Sequence, residues 1–266
     1  FAKVHNLNAM VGFEYWQSDY ERVEAGVTSF PLNGMHELSS GASALSPQSK
    51  TTKETLISYL GRIEYTYNDR YNFSVSLRSD GSSVFGQDNK WGTFWSAGAS
   101  WRIEQENFMK DLTWLDQLKL RLSYGSSGND VGLGDYDYVS TVSLGTAGFG
   151  TIPANQVSSG FGGLISYDRT WEKVSQKNFG IDLNFFDNRL KATFDYFIKD
   201  NTGMLVNVTY PGVLGGKAPK TNSGHLNVKG WEFTIGWRDQ IKDFSYYANF
   251  NIGDTKSLLK EMEGAD

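Results

Sequence analysis

Apolar and polar residues alternate with period two along nine segments of this chain, the spacing of a β-strand that shows two chemically different faces. In the first, 4–16, Leu7, Ala9, Val11, Phe13 and Tyr15 share one face, and Asn6, Asn8, Gly12 and Glu14 share the other. Segment 55–67 sets Ile57, Tyr59, Ile63 and Tyr65 against Ser58, Arg62, Glu64 and Thr66. Segment 71–78 sets Tyr71, Phe73, Val75 and Leu77 against Asn72, Ser74, Ser76 and Arg78. The same alternation runs through 94–103, 118–124, 178–185, 190–199, 231–238 and 244–252, and each segment predicts a strand.

The links between these segments take turns in length. Short ones at 68–70, 187–189 and 239–243 alternate with long ones at 17–53, 79–93, 125–170 and 200–228. The link at 104–117 is intermediate, counts with the short ones and predicts a short helix around 108–115. Short periplasmic turns alternating with long extracellular loops are how an outer-membrane barrel is built. The expected fold is therefore all-β, a segment of a transmembrane antiparallel β-barrel. A soluble sandwich also alternates, but its strands average about five or six residues, and several segments here are ten or longer. The polar face also carries Arg, Lys, Asp, Glu and Asn, as a wet lumen would. Tyr65, Tyr67 and Tyr71 beside one short turn, and Phe185 and Phe186 beside another, stand where an aromatic girdle meets the membrane interface. Nine strands are odd, whereas single-chain bacterial barrels close with even numbers. The chain is thus expected to be an internal piece of a larger barrel.

Composition narrows the function. The 266 residues carry a net charge of −5 with no clustered basic face, which argues against nucleic acid. The absence of cysteine excludes disulfides and thiolate metal sites. No run of about 18 apolar residues offers a transmembrane helix, a test that does not bear on barrel strands.

The stretch RSDGSSVFGQDNKWGTFWSAGASWRI at 78–103 resembles a signature region of the SusC/RagA family of TonB-linked outer-membrane transporters. Further blocks follow in order: FMKDLTWLDQLKLRLSYGSSGN at 108–129, EKVSQKNFGIDLNFFDNRL at 172–190 and NVKGWEF at 227–233. The likeness covers most of the chain from residue 54; residues 1–53 share only its general character. Val84 stands where the family often has a basic residue, and Trp95 where it often has proline. The resemblance implies that residues 1–266 are part of a TonB-dependent receptor barrel of about 22 strands, with the plug domain and TonB box outside this sequence. It implies import of oligosaccharides, or sometimes peptides, across the bacterial outer membrane, with TonB and a SusD-like surface lipoprotein as partners. Import of metal chelates, and a passive porin or structural surface barrel, are the alternatives.

No catalytic constellation is visible, so no enzyme and no cofactor are expected. His5, His36 and His225 fall on one strand and two separate loops without metal-ligand spacing. Asp80-Gly81-Ser82-Ser83 reads as a turn, because the serines have no partner base. Asp130, Asp135 and Asp137 are weak calcium candidates, since their spacing is not that of an EF-hand loop. In the 125–170 loop, Tyr136, Tyr138, Phe149, Asn155 and Phe161 are candidates for binding a solute or a partner. Aromatic rings cover apolar sugar faces, and amides bond sugar hydroxyls. The same residue types suit a protein lid.

Overall fold

The computed structural model describes residues 4–45, 47–134, 136–139, 143–147, 154–158, 165–208 and 219–262. Thirteen strands follow in chain order: β1 His5–Glu24, β2 Val27–Thr28, β3 Ser43–Ala44, β4 Gln48–Tyr67, β5 Tyr71–Ser82, β6 Trp91–Arg102 and β7 Leu115–Asn129. Then come β8 Ser143–Ala147, β9 Ala154–Ser158, β10 Glu172–Phe185, β11 Leu190–Asn207, β12 Lys220–Ile241 and β13 Phe244–Glu261. Nine of them form one sheet in the order β1-β4-β5-β6-β7-β10-β11-β12-β13, a meander in which every neighbouring pair is antiparallel. The pairs β2-β3 and β8-β9 are separate hairpins within the long loops.

The nine expected strands are all present, and most run further than the alternation indicates. Strand β1 continues to Glu24, β11 to Asn207, and β12 begins at Lys220, so the long loops at 17–53 and 200–228 shrink to 25–47 and 208–219. His225 consequently lies in β12 and not in a loop. The expected helix at 108–115 is replaced by two 3-10 turns, Ile103–Gln105 and Asn107–Met109. The 125–170 loop contains the β8-β9 hairpin.

Three tight turns close one end of the sheet. Asn68 and Asp69 have φ of 50° and 52°; Phe186, Asp187 and Asn188 have 58°, 58° and 62°; Lys242 has 54°. A left-handed bend of this kind matches the twist of the flanking strands, and Asn and Asp tolerate it best because their side chains bond locally. The Asn188 amide donates to Asp116 Oδ2 at 2.8 Å, which fixes the second turn to the start of β7.

The turns step along the sheet. One cross-strand row reads Tyr71, Trp101, Leu120, Ile181, Phe194, Phe233 and Ile252. Tyr71 begins its strand, Ile181 stands four residues from the turn end of β10 at Phe185, and Phe233 eight from that of β12 at Ile241. Over the five steps from β5 to β12 the row moves eight residues away from the turn end, and such a climbing register means tilted strands, as barrel closure demands.

That same row is entirely apolar. The adjacent row on the opposite face reads Asn72, Ser100, Arg121, Gly180, Asp195, Glu232 and Gly253. On the apolar face nothing covers the side chains: Val11 is 90% exposed and Leu122 58%. Among the described residues the buried hydrophobic side chains are Val84, Phe85, Phe94 and Val208, all toward the loop end.

Candidate functional site

The polar face is a continuous hydrogen-bonded surface. Ser76 Oγ and Ser96 Oγ lie 2.6 Å apart, Asn72 Nδ2 donates to Ser100 Oγ at 3.2 Å, and Asn178 Nδ2 donates to Ser123 Oγ at 3.1 Å. Several of its charges pair with one another. The Arg121 guanidinium, on β7, donates to both Asp182 oxygens at 2.8 and 2.9 Å, then reaches over β10 to Asp195 on β11 at 3.0 Å. It crosses at Gly180, where a Cβ would lie 2.6 Å from the guanidinium carbon. A side chain at this position would push the guanidinium and the Asp195 carboxylate aside, so glycine lets the bridge pass in this geometry.

Nearer the loops Arg78 gathers a second cluster. Its Nε donates to Asp80 Oδ1 at 2.6 Å, and its Nη2 donates to Glu14 Oε2 at 3.0 Å and to the buried Ser58 hydroxyl at 2.9 Å. Three strands, β1, β4 and β5, supply these groups because Glu14, Ser58 and Asp80 are cross-strand neighbours. Beside them a recess is lined by Ser76, Ser96, Arg78, Asp80, Phe94 and Trp171.

Phe94 occupies a polar-face position and is nonetheless buried, because the chain builds a small core over it. Its ring lies where a Cβ on Gly128 would come within 2.2 Å, and one on Gly92 within 2.6 Å. The Trp171 ring packs on Phe94 at 5.8 Å and on Phe85 at 4.9 Å, and its indole N–H donates to the Lys90 carbonyl at 3.1 Å. Buried Glu172 accepts from Asn129 Nδ2 at 2.8 Å and from the Leu205 amide at 2.7 Å, tying β7, β10 and β11 together at the mouth. Buried Arg169 donates to the Ser166 carbonyl at 3.2 Å and to the carbonyl and carboxylate of Asp137.

The loop candidates are placed unevenly. The Tyr136 hydroxyl accepts from the Lys53 amide at 3.3 Å, so this exposed ring is anchored to β4. Tyr138 is half-buried in the same turn, and Asn155 lies in β9 opposite Thr146. Phe149, Phe161 and Asp135 lie outside the described residues. Asp137 is engaged by Arg169 and by the Gly134 amide at 2.9 Å, and Asp130 lines the recess instead. Among the described residues no three His, Cys, Asp or Glu side chains gather as a metal site. Sequence reasoning missed Arg78, Asp80, Phe94 and Trp171 as neighbours in one recess. The readable signal was Phe94 breaking the polar side of its own alternation.

At the turn end, Glu106 draws in the interfacial aromatics. It accepts from the Tyr71 hydroxyl at 2.6 Å, from the Trp101 indole at 3.1 Å and from Arg70 at 3.1 Å. These donors, the Tyr71 hydroxyl first, hold its carboxyl below the usual glutamate range.

An uncovered apolar face, a polar face that carries paired charges, tight turns at one end and long loops at the other together define a wall segment of an outer-membrane β-barrel. The chain belongs to the family described as TonB dependent receptor-like, beta-barrel, whose sequence model matches residues 3–261. It is 32% identical over 265 residues to TonB-dependent receptor P3 of Formosa agariphila, covering 98% of this chain and 26% of that protein. With TonB-dependent receptor SusC of Bacteroides thetaiotaomicron it shares 32% identity over 219 residues, covering 81% of this chain and 22% of that one. The RagAB peptide transporter structure superposes with a TM-score of 0.86 at 27% identity, covering 98% of this chain and 29% of the matched chain. The chain thus spans about a quarter of the length of the curated relatives it matches. The expected resemblance to SusC and RagA, the barrel fold and the outer-membrane location all hold. The relatives are receptors and transporters, in line with a protein that is not an enzyme.

Proposed function

We propose that this segment forms part of the wall of an energised importer of oligosaccharides that works with TonB and a SusD-like surface lipoprotein. The observation that carries the reading is the state of the charges beside the recess. Arg78 is held by Glu14 and Asp80, so no free cation among the described residues lines the recess, and serine hydroxyls, the Trp171 ring and the Asp130 carboxylate are what it presents to a solute. Hydroxyls and carboxylates bond sugar hydroxyls and an aromatic ring covers a sugar face, whereas the C-terminal carboxylate of a peptide needs a free cation. Plug, remaining strands and TonB contact belong to the rest of the protein under this proposal. A second reading, peptide import, is favoured by the structural likeness to the RagAB peptide transporter.

Uptake of fluorescent oligosaccharides and of oligopeptides by cells carrying the full-length protein separates these readings. Oligosaccharide uptake abolished by a protonophore is expected. Uptake of peptides alone would overturn the substrate class, and uptake insensitive to the protonophore would make the barrel a passive pore.

A further inference from the structure

The apolar face is not apolar throughout. On β10 the outward series Phe185, Leu183, Ile181 and Phe179 gives way to Lys177; on β12, Trp237 to Trp231 gives way to Lys229; on β13, Phe250 and Ile252 give way to Asp254 and then Lys256. Lys177 and Lys229 both flank Ile198, and Lys229 stands directly opposite Lys256. Two like charges in that position repel. All three lysines are exposed and have no ion-pair partner among the described residues. The nearby Asp200 is taken by Asn227 at 2.7 Å, His225 at 3.3 Å and Lys260 at 3.9 Å, and Asp254 accepts from the Thr255 amide.

Their height is informative. Lys177 is eight residues and Lys229 twelve from the turn ends of their strands, or roughly 20 to 30 Å for strands tilted near 40°. That is the upper margin of an apolar band about 25 Å tall. Lys177 also borders a trough in the apolar face, floored by the small Ala97 and Ala99 and walled by Phe73, Leu122 and Phe179.

We propose that this margin binds one outer-leaflet lipid, its phosphorylated headgroup held by Lys177, Lys229 and Lys256 and one acyl chain laid in the trough over Ala97 and Ala99. The phosphate relieves the Lys229–Lys256 repulsion. The trough supplies a shape that a free anion cannot use.

The test uses the full-length transporter purified in detergent and followed by native mass spectrometry. Dioleoyl phosphatidic acid should bind; dioleoylglycerol should not, and inorganic phosphate should not displace the lipid. Removing three charges by Lys177→Gln, Lys229→Gln and Lys256→Gln should weaken binding about a hundredfold, given the usual contribution of a lysine at a lipid surface. The single change Ala99→Leu fills the trough, keeps every charge and should weaken binding several-fold, roughly as a lost methylene contact does. Heat-modifiable gel mobility verifies that both variants are folded barrels. Binding of phosphatidic acid unchanged in the triple variant, equal binding of dioleoylglycerol, displacement by inorganic phosphate, or no effect of Ala99→Leu would each overturn the proposal.

Discussion

Single residues decide where this wall can depart from plain alternation. Gly128 is one: a Cβ would lie 2.2 Å from Phe94, whose ring is already held by Trp171 and Phe85. Gly128→Ala should destabilise the barrel by about 1–3 kcal/mol through overpacking, read as a lower midpoint in chemical unfolding followed by tryptophan fluorescence. Arg121 is another. Removing it by Arg121→Met leaves Asp182 and Asp195 facing each other without a cation, at a cost of about 1–2 kcal/mol for a partly exposed cluster. Adding Asp182→Asn should recover part of that loss in the same assay. Glu106 predicts a pH effect with a definite sign. Its folded carboxyl titrates below its unfolded value, so the stabilisation is complete above the ordinary value of about 4.3 and disappears as pH falls through the folded value. Between pH 7 and pH 3 the thermal midpoint of the wild type should therefore drop further than that of Glu106→Gln.

At the level of elements, the hairpin turns are the local determinants. Asn188→Val places a β-branched residue at φ 62° and should cost about 1–2 kcal/mol, lowering the yield of folded full-length barrel in lipid vesicles, whereas Asn188→Gly should not. The β8-β9 hairpin predicts a separable unit, since among the described residues its strands pair with each other and with no strand of the main sheet. Deleting 143–158 as a whole should leave the barrel folded and weaken co-purification of the surface lipoprotein; unchanged co-purification would remove this hairpin from the lid interface. Strand existence was legible in the sequence, and strand length was not, for one physical reason. Hydropathy alternates only where one face meets lipid. Past Tyr15 the outward series of β1 turns to Gln17 and Asp19, and past Ile198 that of β11 turns to Asp200 and Thr202, while the backbone ladder continues. The recess was illegible for a related reason: Glu14, Ser58 and Arg78 are 64 and 20 residues apart in pairs, and only the register brings them together.

For the molecule as a whole, the alternation of short and long links gives the topology a direct test. Cysteine at position 155 should react with a membrane-impermeant reagent on intact cells, and cysteine at position 188 only after the outer membrane is opened. The reverse pattern would invert the barrel. The two faces were read correctly from the sequence because a wall one residue thick has no other place to put its side chains.

The stepwise offset of the turns turns each hydrogen-bonded row into a ramp. Val75, Tyr124, Lys177 and Lys256 belong to one row, yet Val75 is four residues from the turn end of its strand, Lys177 eight and Lys256 twelve. Neighbours in the sheet are therefore not neighbours in depth. A single charge walked along this row would sample the bilayer like a plumb line, from the hydrocarbon at Val75 to the outer headgroups at Lys256. The same substitution, harmless at β13, should become progressively harder to insert toward β5 without any change in its ladder partners.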